Sequence, residues 1–160
     1  SAWKASPSLP QDGAETAPSW GKERFQALEA MENMNMKLAE MCWQEAEKAL
    51  KNPESVVVIP VGSTEQHGCV GPLGTDWLIP EEFCRRMKTT APLIVTPVIP
   101  FGVATHHVNF PGTIDMGLET MCAVMGHVFE SLFKHGARRF VVVNGHGGND
   151  PAIEKADSSP

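Results

Sequence analysis

Three short runs of aliphatic and β-branched residues, each followed by a loop of glycine and polar residues, restrict this chain more than any other feature. They are Ser55-Val56-Val57-Val58-Ile59-Pro60-Val61, Leu93-Ile94-Val95-Thr96-Pro97-Val98 and Arg139-Phe140-Val141-Val142-Val143. None alternates apolar with polar residues, so each reads as a strand buried on both faces, the pattern of a parallel sheet. Helical patterns separate them, one over about Leu78 to Lys88 and one from Leu118 to His135. In the latter, Leu118, Met121, Cys122, Met125, Val128, Phe129, Leu132 and Phe133 share a face. Asp115 is placed to N-cap that helix, and Gly136, after Lys134 and His135, to end it. Phe25 to Leu50 also holds good helix formers, with a helix expected over roughly Leu38 to Leu50. Strands alternating with helices in this order build right-handed β-α-β units, so the expected fold class is a layered α/β domain.

In sheets of this kind, sites form outside the carboxyl ends of the strands. Loops 62–76, 99–113 and 144–150 are therefore expected to converge. The first carries Glu65, His67 and Asp76, with Gly71, Pro72 and Gly74 letting the chain turn back on itself. Two carboxylates and an imidazole are hard or borderline donors suited to Zn²⁺, Mn²⁺ or Fe²⁺. The same loop also reads as an N-capping Asp76, a surface Glu65 and a loop histidine. In the last loop, Asn144-Gly145-His146-Gly147-Gly148-Asn149, the flanking glycines leave His146 sterically open to a metal or ligand. That loop is not a dinucleotide fingerprint, because Asp150 stands where the last glycine would be needed, and no P-loop lysine follows. His106 and His107 in the middle loop point in opposite directions in an extended chain, so only one faces the others. His127 and His135 match no zincin spacing and are assigned to packing and capping. Ser63 lacks the G-x-S-x-G elbow of a nucleophile.

Composition narrows the remaining classes. With 160 residues, 42% hydrophobic and 20% charged, the chain has the size and balance of one soluble globular domain. Its net charge of −6, without long runs of either sign, argues against nucleic acid and anionic membrane as partners. Cys42, Cys69, Cys84 and Cys122 form no C-x-x-C pair and read as free thiols, which suits a cytoplasmic, reducing compartment. No apolar run reaches membrane-spanning length, and no secretory signal is recognisable. The proline-, glycine- and serine-rich start, from residue 1 to about 22, has the composition of a disordered or loosely attached extension.

Together the loops resemble the creatininase family of metal-dependent amidohydrolases. The resemblance covers roughly Met36 to Ile153. It rests on Pro60-Val61-Gly62-Ser63-Thr64-Glu65-Gln66-His67-Gly68 with Leu73-Gly74-Thr75-Asp76, on His107-x-x-Phe110-Pro111-Gly112-Thr113, and on Asn144-Gly145-His146-Gly147-Gly148-Asn149. It implies a three-layer α/β/α domain with a mostly parallel sheet over residues 36–160, residues 1–35 being an atypical extension, and a homo-oligomer, often a hexamer. It also implies one or two divalent ions, Zn or Mn with Fe as a further option. Glu65 and His67 become ligands to different metals, Asp76 the carboxylate bridging both, and His146 a second ligand beside Glu65. His107 becomes a catalytic residue that orients substrate or stabilises the tetrahedral intermediate, and Asn149 a substrate contact. The implied reaction is hydrolysis of a C–N amide bond in a small molecule (a cyclic amide, a formamide or a small peptide, non-peptide bonds being preferred) by metal-activated water. Two alternatives stay open: a non-catalytic metal- or ligand-binding fragment or regulatory subunit of the same fold, and a nucleotide-binding α/β protein.

The sequence departs from the family pattern in named places. Gly148 stands where creatinine-hydrolysing members carry a glutamate ligand to the second metal, so creatinine is not the expected substrate. Cys69-Val70-Gly71 replaces the usual Pro-His-Leu. Relatives also continue into a further C-terminal region that supplies catalytic groups, so the chain reads as a truncated member.

Overall fold

Val57, Val58, Ile59 and Val61 are each at most 1% exposed, as an unalternating apolar strand requires when both its faces are covered. They belong to β2 (Val56–Val61), one of two inner strands of a sheet that also contains β1 (Met36–Lys37), β3 (Leu93–Val95) and β4 (Phe140–Asn144). The structure, a computed structural model, describes residues 35–157. The expected N-terminal extension and the first part of the helical stretch from Phe25 lie outside the described residues. The strand order is β1-β3-β2-β4 with every pair parallel. Val58 pairs with Val95 on one side and Val141 on the other, and Val61 with Asn144.

The helices are α1 (Trp43–Lys51), α2 (Thr75–Arg86), α3 (Leu118–Lys134) and α4 (Asp150–Asp157). On one face of the sheet, Val57, Ile59, Val61 and Ile94 pack with Leu50 of α1, Met121 and Met125 of α3 and Ala152 of α4. On the other, Val58 and Leu93 pack with Cys84 of α2. Adjacent strand residues thus serve opposite cores, which gives the expected three-layer α/β/α arrangement. No helix among the described residues is long and apolar enough to cross a membrane.

Several local expectations shift. The second run stops as a strand at Val95, not Val98. Pro97 has no N–H to give the ladder, and the chain regains β2 only where Ile99 N–H donates to Pro60 O (3.0 Å) and Gly62 N–H to Ile99 O (2.9 Å). The helix expected over Leu38 to Leu50 is broken at Met41-Cys42 into a 3₁₀ turn and α1. Glu45 Oε2 accepts the Cys42 N–H at 2.8 Å, satisfying an amide that a continuous helix would have used internally. Asp115 is not the N-cap of α3; Gly117 is, and Asp115 instead accepts from Gly117 N–H (3.0 Å) and Ala104 N–H (2.9 Å). Gly136 does end α3, with φ of +114° and with Gly136 N–H and Ala137 N–H turned back to Phe133 O and Leu132 O.

The start of α2 matters most for function. It begins at Thr75, three residues before the apolar pattern, and so takes Asp76 into its first turn. Pro80 lies inside the helix and has no N–H for the carbonyl of Asp76, four residues back. That carbonyl instead sits between the backbones of Gly62, at the end of β2, and Gly145, at the end of β4. A Cβ on either glycine would overlap it. The helix therefore wedges its first turn against both strand ends and holds the Asp76 carboxylate at the carboxyl edge of the sheet.

Candidate metal centre

The three loops converge at that edge. Glu65, His67 and Asp76 offer ligand atoms that all lie within 4.8 Å of one another. His146 joins them from the β4 loop, with Nδ1 at 2.9 Å from Asp76 Oδ2 and Nε2 at 3.3 Å from Glu65 Oε2. His107 stands further off, its Nε2 at 3.6 Å from Glu65 Oε1, while its neighbour His106 is exposed.

The hydrogen-bond partners determine which nitrogen of each imidazole carries its proton. A carbonyl oxygen only accepts, so His67 Nδ1, at 3.0 Å from Glu65 O, must donate. That leaves Nε2 of the neutral ring as a bare lone pair, yet it faces Asp76 Oδ1 at 2.9 Å. His146 repeats the pattern: Nε2 faces Val103 O at 2.8 Å and donates, so bare Nδ1 faces Asp76 Oδ2. Each oxygen of one carboxylate thus opposes a different imidazole lone pair. Two acceptors at hydrogen-bond distance need a cation between them, either a proton or a metal ion. The Glu65 carbonyl is the largest influence raising the His67 pKa above its usual value; burial opposes it, and the Asp76 carboxylate reinforces it. The donor set, carboxylates and imidazoles without thiolate, fits a borderline divalent ion.

Supporting groups hold these ligands in place. Ser63, wholly buried, donates its hydroxyl to Glu65 Oε2 at 2.9 Å. Asn149, expected as a substrate contact, is wholly buried as well. Its amide nitrogen donates to Gly62 O (3.0 Å) and Asn144 Oδ1 (3.2 Å), and its oxygen accepts Val103 N–H (2.9 Å). The Asn149 carboxamide therefore ties all three loops together. Asn144 Nδ2 donates to His146 O (2.8 Å) and to Asp150 Oδ1 (2.8 Å), which sets the path of the β4 loop. Sequence reading assigned no role to Ser63 beyond excluding it as a nucleophile. The missed signal is the two-residue spacing that puts Ser63 and Glu65 on one side of an extended segment.

The family model for Creatininase, described as creatinine amidohydrolase, matches residues 39–158. The chain belongs to the creatininase family. Among curated proteins it is similar to the creatinine amidohydrolase of Pseudomonas putida, at 31% identity over 72% of this chain and 46% of that protein. It is also similar to the mycofactocin precursor peptide peptidase of Mycobacterium tuberculosis, at 38% identity over 62% of this chain and 43% of that protein. The chain thus spans about half the length of the curated relatives it matches. Among solved structures, creatininases in a manganese form and in a mutant Zn-Zn form each superpose with TM-score 0.68 at 28% identity. Each covers 77% of this chain and 50% of its counterpart.

Gly148 acquires a geometric reason within this family frame. A Cβ there would overlap Val103 O and the His146 ring, so the backbone of this chain admits no side chain at the position. The carboxylate that creatinine-hydrolysing members are expected to carry is thus missing in sequence and also excluded by the path of the loop. Among the described residues, the candidate ligand atoms of Glu65, His67 and Asp76 lie together, with none supplied from position 148.

Proposed function

We propose that residues 36–160 are the metal-binding part of a creatininase-family amidohydrolase that hydrolyses a C–N amide bond in a small molecule: a cyclic amide, a formamide or a small peptide. The observation carrying this reading is the pair of imidazole lone pairs aimed at the two oxygens of Asp76, the arrangement a bridging carboxylate needs. Glu65 and His146 would hold one divalent ion with Asp76, and His67 a second. When bound, Zn²⁺ or Mn²⁺, or Fe²⁺ as a further option, supplies Lewis acidity and a water of lowered pKa. Glu65 orients the attacking water through contacts in which it accepts the water's hydrogens. Burial of Glu65, only 5% exposed, strengthens those contacts by excluding bulk solvent. His107, beside Glu65, is assigned to the substrate carbonyl, where an N–H would stabilise the oxygen as it gains charge. Asn149 is assigned to holding the loops, since its polar atoms are buried and occupied. Family likeness further suggests a homo-oligomer, and the four unpaired thiols suit the cytoplasm.

The test is elemental analysis of the purified chain after dialysis, run beside hydrolysis assays on creatinine, formamides and short peptides with added Zn²⁺ or Mn²⁺. The reading expects bound metal and turnover of an amide other than creatinine. Rapid creatine formation would overturn the substrate assignment. Metal without turnover on any of these would favour the non-catalytic binding alternative, and absence of metal would remove the site.

A further inference from the structure

Gln66 lies between two metal-ligand candidates in sequence, and its side chain hydrogen-bonds to neither of them. The carboxamide oxygen, Oε1, accepts the Gly68 N–H at 3.0 Å, and the carboxamide nitrogen, Nε2, lies 2.9 Å from His107 Nδ1. We propose that Gln66 is a positioning residue that sets the tautomer of His107, so that His107 presents an N–H to the metal centre and not a lone pair.

A backbone N–H only donates, so the Gln66 atom facing Gly68 must be the oxygen, which removes the usual ambiguity in the orientation of an amide. Gly68 has φ of +71°, a left-handed conformation that turns the chain directly after this contact and that glycine adopts at little cost. With the oxygen committed there, the amide nitrogen faces His107. An amide nitrogen only donates, so Nδ1 must accept. A neutral imidazole has one N–H, and it is therefore on Nε2, the atom 3.6 Å from Glu65 Oε1 on the side of the metal ligands. The same loop pair is held at a second point, where Gln66 N–H donates to Thr113 Oγ1 at 3.2 Å, and the His107 backbone N–H donates to Ala104 O at 2.8 Å.

The consequence rests on the amidohydrolase reading given above. With Nε2 protonated, His107 serves the substrate as a hydrogen-bond donor and cannot take a proton from water at that atom. The tautomer itself does not depend on that reading, which lets the two be tested apart.

Long-range ¹H–¹⁵N correlation spectra of the labelled, zinc-loaded chain report the tautomer directly, with His107 assigned by comparison with His107→Ala. Wild type is expected in the Nε2–H form. Gln66→Glu replaces the donor by an acceptor and should move the proton to Nδ1, and Gln66→Leu should leave a mixture. An Nδ1–H tautomer in wild type, or an unchanged spectrum in Gln66→Glu, would overturn the proposal. On any amide that wild type turns over, Gln66→Glu should lower kcat by about 10²-fold, as loss of an oxyanion donor does, with KM little changed. Turnover that is absent in wild type sinks the amidohydrolase reading while the spectra still decide the proposal. A switched tautomer with unaltered kcat would refute the donor role.

Discussion

The two oxygens of Asp76 face different surroundings. Oδ2 meets His146, whose side chain is 11% exposed and which lies against buried Glu65, with Ser63, Val103 O and Asn149 behind them. Oδ1 meets His67, 25% exposed, supported by the Glu65 carbonyl alone and followed by the exposed Gly68-Cys69-Val70 turn. The first neighbourhood is braced by groups from all three loops; the His67 ring is held by a carbonyl of its own loop, and only the adjoining Gln66 reaches the middle loop, at Thr113 and His107. Ligands locked by buried hydrogen bonds lose little freedom on binding a cation, whereas a ligand on an open turn must be ordered first. One carboxylate thus faces a closely braced imidazole on one side and a more open one on the other, and Gly148 lies against the braced one, His146.

Asp76→Ala is the largest expected break, since it removes the group common to both sides. Bound metal should fall to background by elemental analysis while the melting temperature changes little, and retention of metal would dissolve the comparison altogether. Next in size is Gly148→Glu, which tests whether the missing ligand can simply be restored. The new Cβ overlaps Val103 O and His146, so we expect a loss of about 2 kcal/mol or more of stability by denaturant unfolding. We also expect weaker metal binding, not a second tight ion. Tighter binding with unchanged stability would mean that the β4 loop yields.

Smaller effects separate the sides. Ser63→Ala removes the hydroxyl that holds Glu65 Oε2, and calorimetric titration with Zn²⁺ should register about 10- to 100-fold weaker affinity at the tight position. His67→Ala should spare that position and abolish only the weaker one, so equal losses from both variants would argue for a single shared ion. The smallest effect concerns the loop carrying His107, anchored by Asp115. Burial opposes ionisation of Asp115, but hydrogen bonds from Gly117 and Ala104 N–H and from Thr105 outweigh it and hold its pKa below the usual carboxylate value. Its contribution to stability is therefore present above the unfolded-state pKa and lost as pH falls through the lowered folded one. Asp115→Asn should melt below wild type at pH 7, with the gap closing as pH falls through the lowered folded-state pKa; a gap that persists in stronger acid would assign the role to shape instead of charge.

Much of the fold was legible because β2 and α3 are unambiguous: an apolar β-branched run too short for a helix, and a long run with helical period closed by glycine. The parallel sheet followed from the unalternating strands. What misled was chemistry inside the patterns. Pro97 cut the second run short, and Met41-Cys42 broke a stretch of good helix formers. Polar Thr75 and Asp76, ahead of the apolar pattern, concealed the true start of α2. For the site, residue type and glycine-rich context pointed to Glu65, His67, Asp76 and His146. Ser63 and Gln66 stayed silent, because a serine or glutamine in a loop has no pattern until its partner is known.

By itself the sequence determined the layered α/β class, the loops that carry polar chemistry and the donor types available, since these depend on local periodicity and side-chain identity. Only the tertiary structure decided which imidazole nitrogen faces which carboxylate oxygen, that Asn149 holds the loops and is sealed from solvent, and that no side chain fits at 148. Those outcomes depend on where carbonyls of distant residues come to lie: Val103 O beside His146 and position 148, and Asp76 O between Gly62 and Gly145. Such positions arise from the packing of a helix end against two strand ends, and no local pattern encodes them.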